Sequence, residues 1–334
     1  MCCFNKLVFQ DILVIKPQKK SPLLLKMSVL IFSMVYGVFI CSACLKQSSI
    51  HARSVLPKLQ VIEKPSSSYL HYPKPVSFNR SECSRNPVKF FAIVSNPRSG
   101  SGWFETLLNS HVNVSSNGEV MAPKRRVNVS TIVKTLDKVY NLDWLSSASK
   151  NECSAAIGLK WMLNQGLLKH HEEIAYYFNR RSVSIIFLFR RNLLRRMISK
   201  LANSYDRHAK LSNGTHNSHV HSAEEADTLS KYKPTIKSTS LLTTLKDMEM
   251  RDAKALEYFN TTRHIILYYE DLMRNPNKLK DVQDFLGLPQ MELTSSQVKI
   301  HRGPLSGLVR NWDDITKTLK GTAYESFLQA DYSS

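Results

Sequence analysis

A short run of small and basic residues separates two apolar segments in the first third of the chain. The run SNPRSGSGW, residues 95–103, follows the strand-like segment VKFFAIV and precedes WFETLLNSH, whose apolar residues recur at helical spacing. Backbone N–H groups of such a loop, together with the positive end of the following helix, bind anions, and small residues let the anion approach closely. The pattern predicts a phosphate-binding loop, although many strand-to-helix turns of α/β proteins also carry Gly and Ser.

The loop differs from the loop of nucleoside triphosphatases. Those proteins use G-x-x-x-x-G-K-[ST], in which the lysine contacts the terminal phosphates and the hydroxyl contacts Mg²⁺. Here the first glycine is absent, and Gly-Ser-Gly-Trp at 100–103 stands in place of Gly-Lys-Ser/Thr. A kinase is therefore disfavoured. No metal site is predicted either, because His216, His219 and His221 lack a firm ligand spacing.

Alternating strand-like and helix-like segments position this loop. Strands are predicted at 88–94, 155–163, 182–190 and 264–270, and helices at 103–111, 171–181, 191–205 and 275–289. Continuous apolar strands separated by helices predict a parallel sheet that is covered on both faces, and ligands bind such sheets at the carboxyl ends of the strands. The first loop and the pair Arg190 and Arg191 fall at such ends. Segments 122–155 and 207–235 are expected to be loops.

Composition restricts the classes of partner. The chain has 334 residues, 43% of them hydrophobic, a formal net charge of +19 and a pI near 9.7. This charge favours anionic partners such as polyanions, anionic membrane surfaces or anionic nucleotides. No zinc-finger, zipper or RNP-like pattern is present, so nucleic acid is not an expected partner.

The N-terminal region predicts a membrane anchor. The uncharged run from Met27 to Leu45 has about the length that crosses a bilayer as a helix. Five lysines and one aspartate precede it, so residues 1–26 are expected to be a cytosolic tail and the rest luminal. A signal peptide cleaved after Ala43 is the alternative, and a start at Met27 would remove the basic flank. Residues 46–87 resemble a stem rich in Pro and Ser, and the globular domain is expected at 88–325.

Sequons and cysteines agree with a luminal domain. Sequons begin at Asn79, Asn113, Asn128, Asn213 and Asn260, and each is a glycan acceptor only on a translocated chain. Cys83 and Cys153 are the two cysteines of the globular part. In an oxidising compartment they form a disulfide or remain as two buried thiols.

Four segments, in this order, resemble the sulfotransferase family. PRSGSGW at 97–103 is similar to its 5'-phosphosulfate loop, P-[KR]-[ST]-G-[ST]-x-[WL], and FRRNLLRRMIS at 189–199 is similar to its 3'-phosphate element. YYEDLMRNPNKLKDVQDFLGLP and VRNWDDI resemble the family's later elements. HVNVSSNGEVM at 111–121 is especially similar to rhizobial nodulation sulfotransferases, whose acceptor is a glycan. The resemblance implies a P-loop NTPase-like three-layer fold.

The resemblance also implies site residues. The donor would be 3'-phosphoadenosine 5'-phosphosulfate, used without a metal, with Arg191 and Ser199 on its 3'-phosphate. Arg98 would stabilise the departing phosphate, and Glu119 would be the base, although a Glu after Asn-Gly is often only a solvated turn residue. The other donor-binding positions are Ser99, Gly100, Ser101, Gly102 and Trp103.

The sequence departs from the family pattern in three places. Many cytosolic members have Lys at position 98 and Thr at position 102, and their catalytic His has no counterpart.

Lys160 is a candidate contact to donor or acceptor, or a surface charge. Lys299, Arg302 and Arg310 could cover the 3'-phosphate or be solvated.

The resulting hypothesis is a type II Golgi membrane sulfotransferase that modifies a hydroxyl, expected to belong to a carbohydrate. Two alternatives remain. A membrane-anchored small-molecule kinase would need Mg²⁺ and would bind ATP regardless of a 3'-phosphate. A non-catalytic glycan-binding protein on the same fold would bind glycan without consuming donor.

Overall fold

Five parallel β-strands form a single sheet in the computed structural model. They are β1 (Lys89–Ser95), β2 (Val114–Ser116), β3 (Ala156–Met162), β4 (Val183–Phe189) and β5 (His264–Tyr268). Their order across the sheet is β2-β3-β1-β4-β5, with every neighbouring pair parallel. The predicted α/β class with a central parallel sheet is confirmed. The strand predicted at 264–270 ends at Tyr268, and β2 was not predicted because three residues are too few for a periodic pattern.

The structure describes residues 88–140, 154–209, 222–300 and 303–329, together with Met34. Chain contacts divide the molecule into two units, Met1–Pro65 and Ser66–Ser334, and all five strands belong to the second. Apart from Met34, the predicted anchor lies outside the described residues, as do the stem, Cys83, Cys153 and the three histidines of 216–221. Within the described ranges, no helix has both the length and the apolar character needed to span a bilayer.

Nine α-helices connect or flank the strands within the described ranges. They are α1 (Ser101–Ser110), α2 (Val129–Tyr140), α3 (His171–Arg180), α4 (Leu193–Ala209), α5 (Ala223–Ser230), α6 (Ser238–Tyr258), α7 (Tyr269–Arg274), α8 (Lys278–Phe285) and α9 (Trp312–Leu319). The expectation that 122–155 and 207–235 are loops was wrong in part, because α2 and α5 occupy segments of them. The predicted helices at 103–111, 171–181, 191–205 and 275–289 correspond to α1, α3, α4 and α8.

The helices cover both faces of the sheet, which gives three layers. Successive strand residues point to opposite faces, so Ala92 and Val94 pack on one side while Phe91 and Ile93 pack on the other. The first side is covered by α2, α3 and the end of α6, and the second by α1, α7 and α8. A third apolar cluster joins α4, α6 and α9. Burial of these strands on both faces explains why they read as continuous apolar runs.

Parallel register brings the predicted functional segments to one edge of the sheet. Ser95, at the end of β1, pairs with Met162 of β3 and with Leu188 of β4. The loop after β1, the Arg190-Arg191 pair after β4 and the start of α7 after β5 therefore all lie at the carboxyl edge. This is the edge where open parallel sheets bind ligands.

Candidate functional site

The loop between β1 and α1 has two residues in the left-handed backbone region. Arg98 has φ 68° and Gly100 has φ 81°, and the Gly100 carbonyl accepts the N–H of Phe104 at 3.0 Å as α1 begins. A Cβ placed on Gly100 would lie 2.4 Å from Cδ2 of Tyr269, so the position requires glycine for space as well as for φ. A non-glycine residue such as Arg98 in this region is strained, and such strain is concentrated at functional sites.

Helix α6 anchors the start of this loop. The Asn96 side-chain amide donates a hydrogen bond to Asp252, which also pairs with Arg196 of α4 at 3.1 Å. Both side chains are largely enclosed in the fold, and this burial lowers the pKa of Arg196 and raises the pKa of Asp252. Since α6 is distant in sequence, no local pattern could have indicated this anchor.

A pocket of about 240 Å³ opens beside the loop. The cationic residues that line it are Arg98, Arg190, Arg195 and Lys299. Its apolar and aromatic lining includes Trp103, Tyr269, Val298, Ile300 and Leu308. No acidic side chain is among the described residues that line it. A pocket with this lining suits a ligand that carries several negative charges and one flat apolar group.

Arg98 is the most strongly perturbed cation of the pocket. Its Nε donates to Ser199 Oγ at 3.0 Å, and its Nη1 donates to Asn203 Oδ1 at 3.3 Å. Burial and the positive charge of Arg190 lower the pKa of Arg98 to about 10, although the charge of Asp206 opposes the shift. A lowered pKa means that the charged form is held at a cost in free energy. A bound anion would offset that cost.

Arg190 is positioned by a carboxylate that serves several groups. Its Nε lies 3.4 Å from Oε1 of Glu270, and its guanidinium stands 5.0 Å from the ring centroid of Tyr269. The same carboxylate accepts the backbone N–H groups of Arg191 at 2.9 Å and Asn192 at 3.4 Å. Glu270 is buried, so its role in this structure is to fix the turn after β4 beside the loop.

Arg191 points to a different partner from Arg190. Its guanidinium makes two hydrogen bonds to Asp271, at 2.7 and 3.2 Å, and lies 3.8 Å from the ring centroid of Tyr268. The hydrogen bonds to Asp271 raise the pKa of Arg191, and about half of the side chain is exposed. Arg191 is not among the described residues that line the pocket, whereas Ser199 is. The assignment of Arg191 to a 3'-phosphate stays a prediction.

The remaining residues predicted for the loop are brought together around its turn. Gly100, Ser101, Gly102 and Trp103 line the pocket, and the Trp103 ring meets the Tyr269 ring edge to face at 5.5 Å. The Ser99 hydroxyl is fully buried and has no hydrogen-bond partner among the described residues. A buried hydroxyl without a partner is costly, which is consistent with a loop that is completed by a ligand.

Glu119 belongs to a second group of polar side chains, near the ends of β2 and β3. Nζ of Lys160 lies 3.6 Å from Oε1 of Glu119 and 3.0 Å from Oε2 of Glu105, and Gln165 Nε2 donates to Glu119 Oε2 at 3.0 Å. Lys160 is buried, Glu105 is nearly so, and 40% of the Glu119 side chain is exposed. Lys160 is therefore not a surface charge.

Glu105 is the buried carboxylate of this group. Its Oε1 accepts the Ser116 hydroxyl at 2.6 Å and the Gly118 N–H at 2.9 Å. Glu105 is thus fully used within the protein, while Glu119 keeps part of its carboxylate accessible. Among the described residues, no three His, Cys, Asp or Glu side chains are arranged to hold a metal ion.

Sequence reasoning missed several residues of both groups. Tyr269 and Asn203 reach the loop from α7 and α4, and their contacts depend on tertiary packing. Glu105 offered one signal, because a carboxylate on the buried side of an apolar helix requires a buried partner. The predicted glycan acceptors differ in exposure: Asn113 is fully buried, whereas Asn128 and Asn260 are exposed.

Comparison with known proteins gives one family. The sulfotransferase domain model matches residues 90–302, which is more than half of the chain. No curated protein matches the chain significantly.

Three solved structures are similar to the chain at low identity. They are a sulfotransferase domain from the curacin biosynthetic pathway (19% identity, 74% of this chain and 94% of that chain covered, TM-score 0.33), a sulfotransferase from Alicyclobacillus acidocaldarius (11%, 72% and 95%, 0.40), and mouse sulfotransferase SULT7A1 complexed with PAP (11%, 74% and 76%, 0.32). The family assignment depends on the domain model, which spans the loop after β1, the end of β4 and the start of α7. The chain belongs to the sulfotransferase family.

Proposed function

We propose that this protein transfers the sulfuryl group of 3'-phosphoadenosine 5'-phosphosulfate to a hydroxyl of a carbohydrate. The observation that carries the proposal is the pocket beside the β1–α1 loop, which is lined by the half-buried Arg98 and the buried Arg190, and the charge of Arg190 is close enough to lower the pKa of Arg98. Like charges held together in a protein interior favour an anion between or beside them. A nucleotide with phosphates at both ends satisfies this demand.

The chemical character of the pocket supports a nucleotide donor. Backbone N–H groups at the start of α1 and the cation Arg98 suit the 5'-phosphosulfate. Arg190, Arg195 and Lys299 supply further positive charge for a second phosphate. Trp103 and Tyr269 offer aromatic surface for the adenine ring.

The reaction needs a base, a positioned donor and charge stabilisation on the leaving group. Glu119 takes the proton of the acceptor hydroxyl, and the oxygen forms a bond to sulfur. The bond between sulfur and the bridging oxygen breaks, and its electron pair goes to the departing phosphate. The guanidinium of Arg98 stabilises that charge. A sulfuryl group carries less charge than a phosphoryl group, so this scheme does not call for Mg²⁺.

The group around Lys160 supports the assignment of Glu119 as the base. Lys160 and Gln165 each contact one oxygen of the Glu119 carboxylate, which restricts its orientation. Glu105 fixes Lys160 in turn. Glu119 follows β2 and the donor loop follows β1, so both are on the carboxyl edge of the sheet with β3 between them.

The proposal includes a location. The uncharged run 27–45 and the lysines before it favour a type II anchor in the Golgi membrane, with the sulfotransferase domain in the lumen. Protease treatment of intact Golgi vesicles tests this. The domain should be protected until detergent is added, and digestion without detergent would contradict a luminal domain.

Donor binding is tested by thermal unfolding of the purified full chain in detergent with 3'-phosphoadenosine 5'-phosphate, 5'-AMP or Mg-ATP. Stabilisation by the bisphosphate should grow as its concentration exceeds the dissociation constant, by about 2.7 kcal/mol at a hundredfold excess. The other two nucleotides should have a much smaller effect at equal concentration. A shift with Mg-ATP alone would overturn the proposal in favour of a kinase.

A further inference from the structure

Three consecutive basic residues follow Glu119 on the same loop. Lys124 and Arg125 lie in the short 3₁₀ turn Pro123–Arg125 and are exposed, and Arg126 comes directly after it and is half-buried. Among the described residues, no Asp or Glu pairs with any of the three. We call Lys124, Arg125 and Arg126 the basic triplet. Exposed cations that have no acidic partner in the described part of the chain are available to a negatively charged molecule from outside it.

The basic triplet is tied to the segment that carries Glu119. The Arg125 guanidinium donates to the carbonyl of Val120, the residue after Glu119, at 3.3 Å. The Val120 carbonyl also accepts the N–H of Ala122 at 2.9 Å, and the Ala122 carbonyl accepts the N–H of Arg125 at 2.8 Å. These bonds fold the chain back after Glu119, so the Arg125 side chain lies at the backbone of the residue that follows the predicted base.

A second connection runs through the segment that follows β3. Gly166 comes after Gln165, whose side chain holds Glu119. A Cβ placed on Gly166 would lie 3.8 Å from Cβ of Arg126 and 4.0 Å from Cδ2 of His170. Arg126 and His170 therefore flank one point next to Gln165. His170 Nε2 is buried and has no hydrogen-bond partner among the described residues.

From these contacts we infer that the acceptor is an acidic polysaccharide, and that the basic triplet with His170 binds a carboxylate or sulfate group near the hydroxyl that is modified. The inference depends on the proposed carbohydrate acceptor and specifies its charge. A polyanion approaching Glu119 would be repelled by that carboxylate, and the triplet compensates for the repulsion. A neutral glycan would need no such cations. The exposed Glu172 and Glu173 at the start of α3 make no ion pair with the triplet.

Transfer assays with matched acceptors test this inference. A panel of acidic polysaccharides, such as polygalacturonate and dextran sulfate, is compared with carboxyl-reduced polygalacturonate and uncharged dextran, using radiolabelled donor. The best acidic member should have a KM at least about tenfold lower than that of its uncharged counterpart, the ratio that 1.4 kcal/mol gives. The triple variant Lys124→Ala, Arg125→Ala, Arg126→Ala should remove most of this preference and change kcat little.

A control variant removes three positive charges from a different part of the protein surface. Lys246, Lys254 and Lys320 are exposed, and their replacement by Ala should leave the preference intact. Equal use of charged and uncharged acceptors, transfer to an acidic tyrosine peptide but to no polysaccharide, or loss of preference in both variants would overturn the inference.

Polyanion binding without donor separates this inference from the proposed function. Retention on immobilised polygalacturonate should fall more in the triplet variant than in the control variant, and both variants should keep the thermal shift with 3'-phosphoadenosine 5'-phosphate. Equal retention of the two variants would contradict the inference while leaving the donor site in place. Absence of the nucleotide shift in the wild type would contradict the proposed function alone.

Discussion

The Tyr269 ring lies against Gly100 in the loop after β1 and leaves no room for a side chain there, and Gly100→Ala tests this contact. The new methyl group would stand 2.4 Å from Cδ2 and 2.7 Å from Cε2 of that ring, at a backbone φ of 81°. The left-handed conformation costs an alanine about 1 kcal/mol, and an overpacked contact adds about 2 kcal/mol. We therefore expect the free energy of unfolding to fall by about 3 kcal/mol. The Tyr269 ring does not simply move aside, because Trp103 and Arg190 also contact it.

Thermal unfolding measures this loss. For a domain of this size, 1 kcal/mol corresponds to roughly 2–4 °C, so Tm should fall by roughly 6–12 °C. Gly287→Ala is the matched control, because Gly287 has φ 65° but its nearest potential contact is Lys89 Cε at 3.9 Å, an ordinary separation. This control should lose only roughly 2–4 °C. The thermal shift with 3'-phosphoadenosine 5'-phosphate should also decrease in Gly100→Ala, since a displaced Tyr269 alters the pocket. Equal Tm losses in the two variants would refute the contact.

Four further predictions concern single side chains. Arg190→Met should weaken binding of 3'-phosphoadenosine 5'-phosphate by at least about tenfold, measured by calorimetry, and unchanged affinity would exclude Arg190 from the site. If Arg191 binds the 3'-phosphate, Arg191→Met should weaken binding of the bisphosphate more than binding of 5'-AMP. Asp271→Asn, which removes the charged partner of Arg191, should not weaken binding of the bisphosphate in this way. Equal effects of Arg191→Met on both nucleotides would contradict the assignment. Glu105→Gln should lower transfer through kcat because it releases Lys160 from its position, with donor affinity unchanged, and an unaltered kcat would show that Lys160 is held without it. In a glycosylating host, Asn113→Gln should leave the mass of the attached glycans unchanged by mass spectrometry because Asn113 is buried, and a loss of one glycan would contradict that burial.

The strands and the first loop were predictable from sequence because their signals are local. A strand buried on both faces appears as a continuous apolar run, and the small residues of 99–102 mark the turn that follows β1. Helix α6 gave no comparable signal, yet it supplies Asp252, which anchors the loop through Asn96. Its role depends on packing between segments that are far apart in the sequence.

The sequence indicated which side chains gather at the carboxyl edge of the sheet, but not how they are arranged there. Composition does not distinguish the partners of Arg190 and Arg191, and only the course of the chain after β4 places one guanidinium at Glu270 and the other at Asp271. Glu119 was identified by a resemblance, whereas its partners Lys160 and Gln165 come from a different strand and the turn after it. Such contacts follow from register and loop closure, which periodicity does not encode.

The most direct test of the central claim is transfer of radiolabelled sulfate from 3'-phosphoadenosine 5'-phosphosulfate to polysaccharide acceptors by the purified full chain, with EDTA present and with Glu119→Gln as the comparison. We expect label in a polysaccharide without Mg²⁺, and a fall of at least about a hundredfold in kcat for Glu119→Gln if its carboxylate is the general base. Failure to transfer sulfate to any hydroxyl acceptor, or equal turnover by Glu119→Gln, would contradict the central claim.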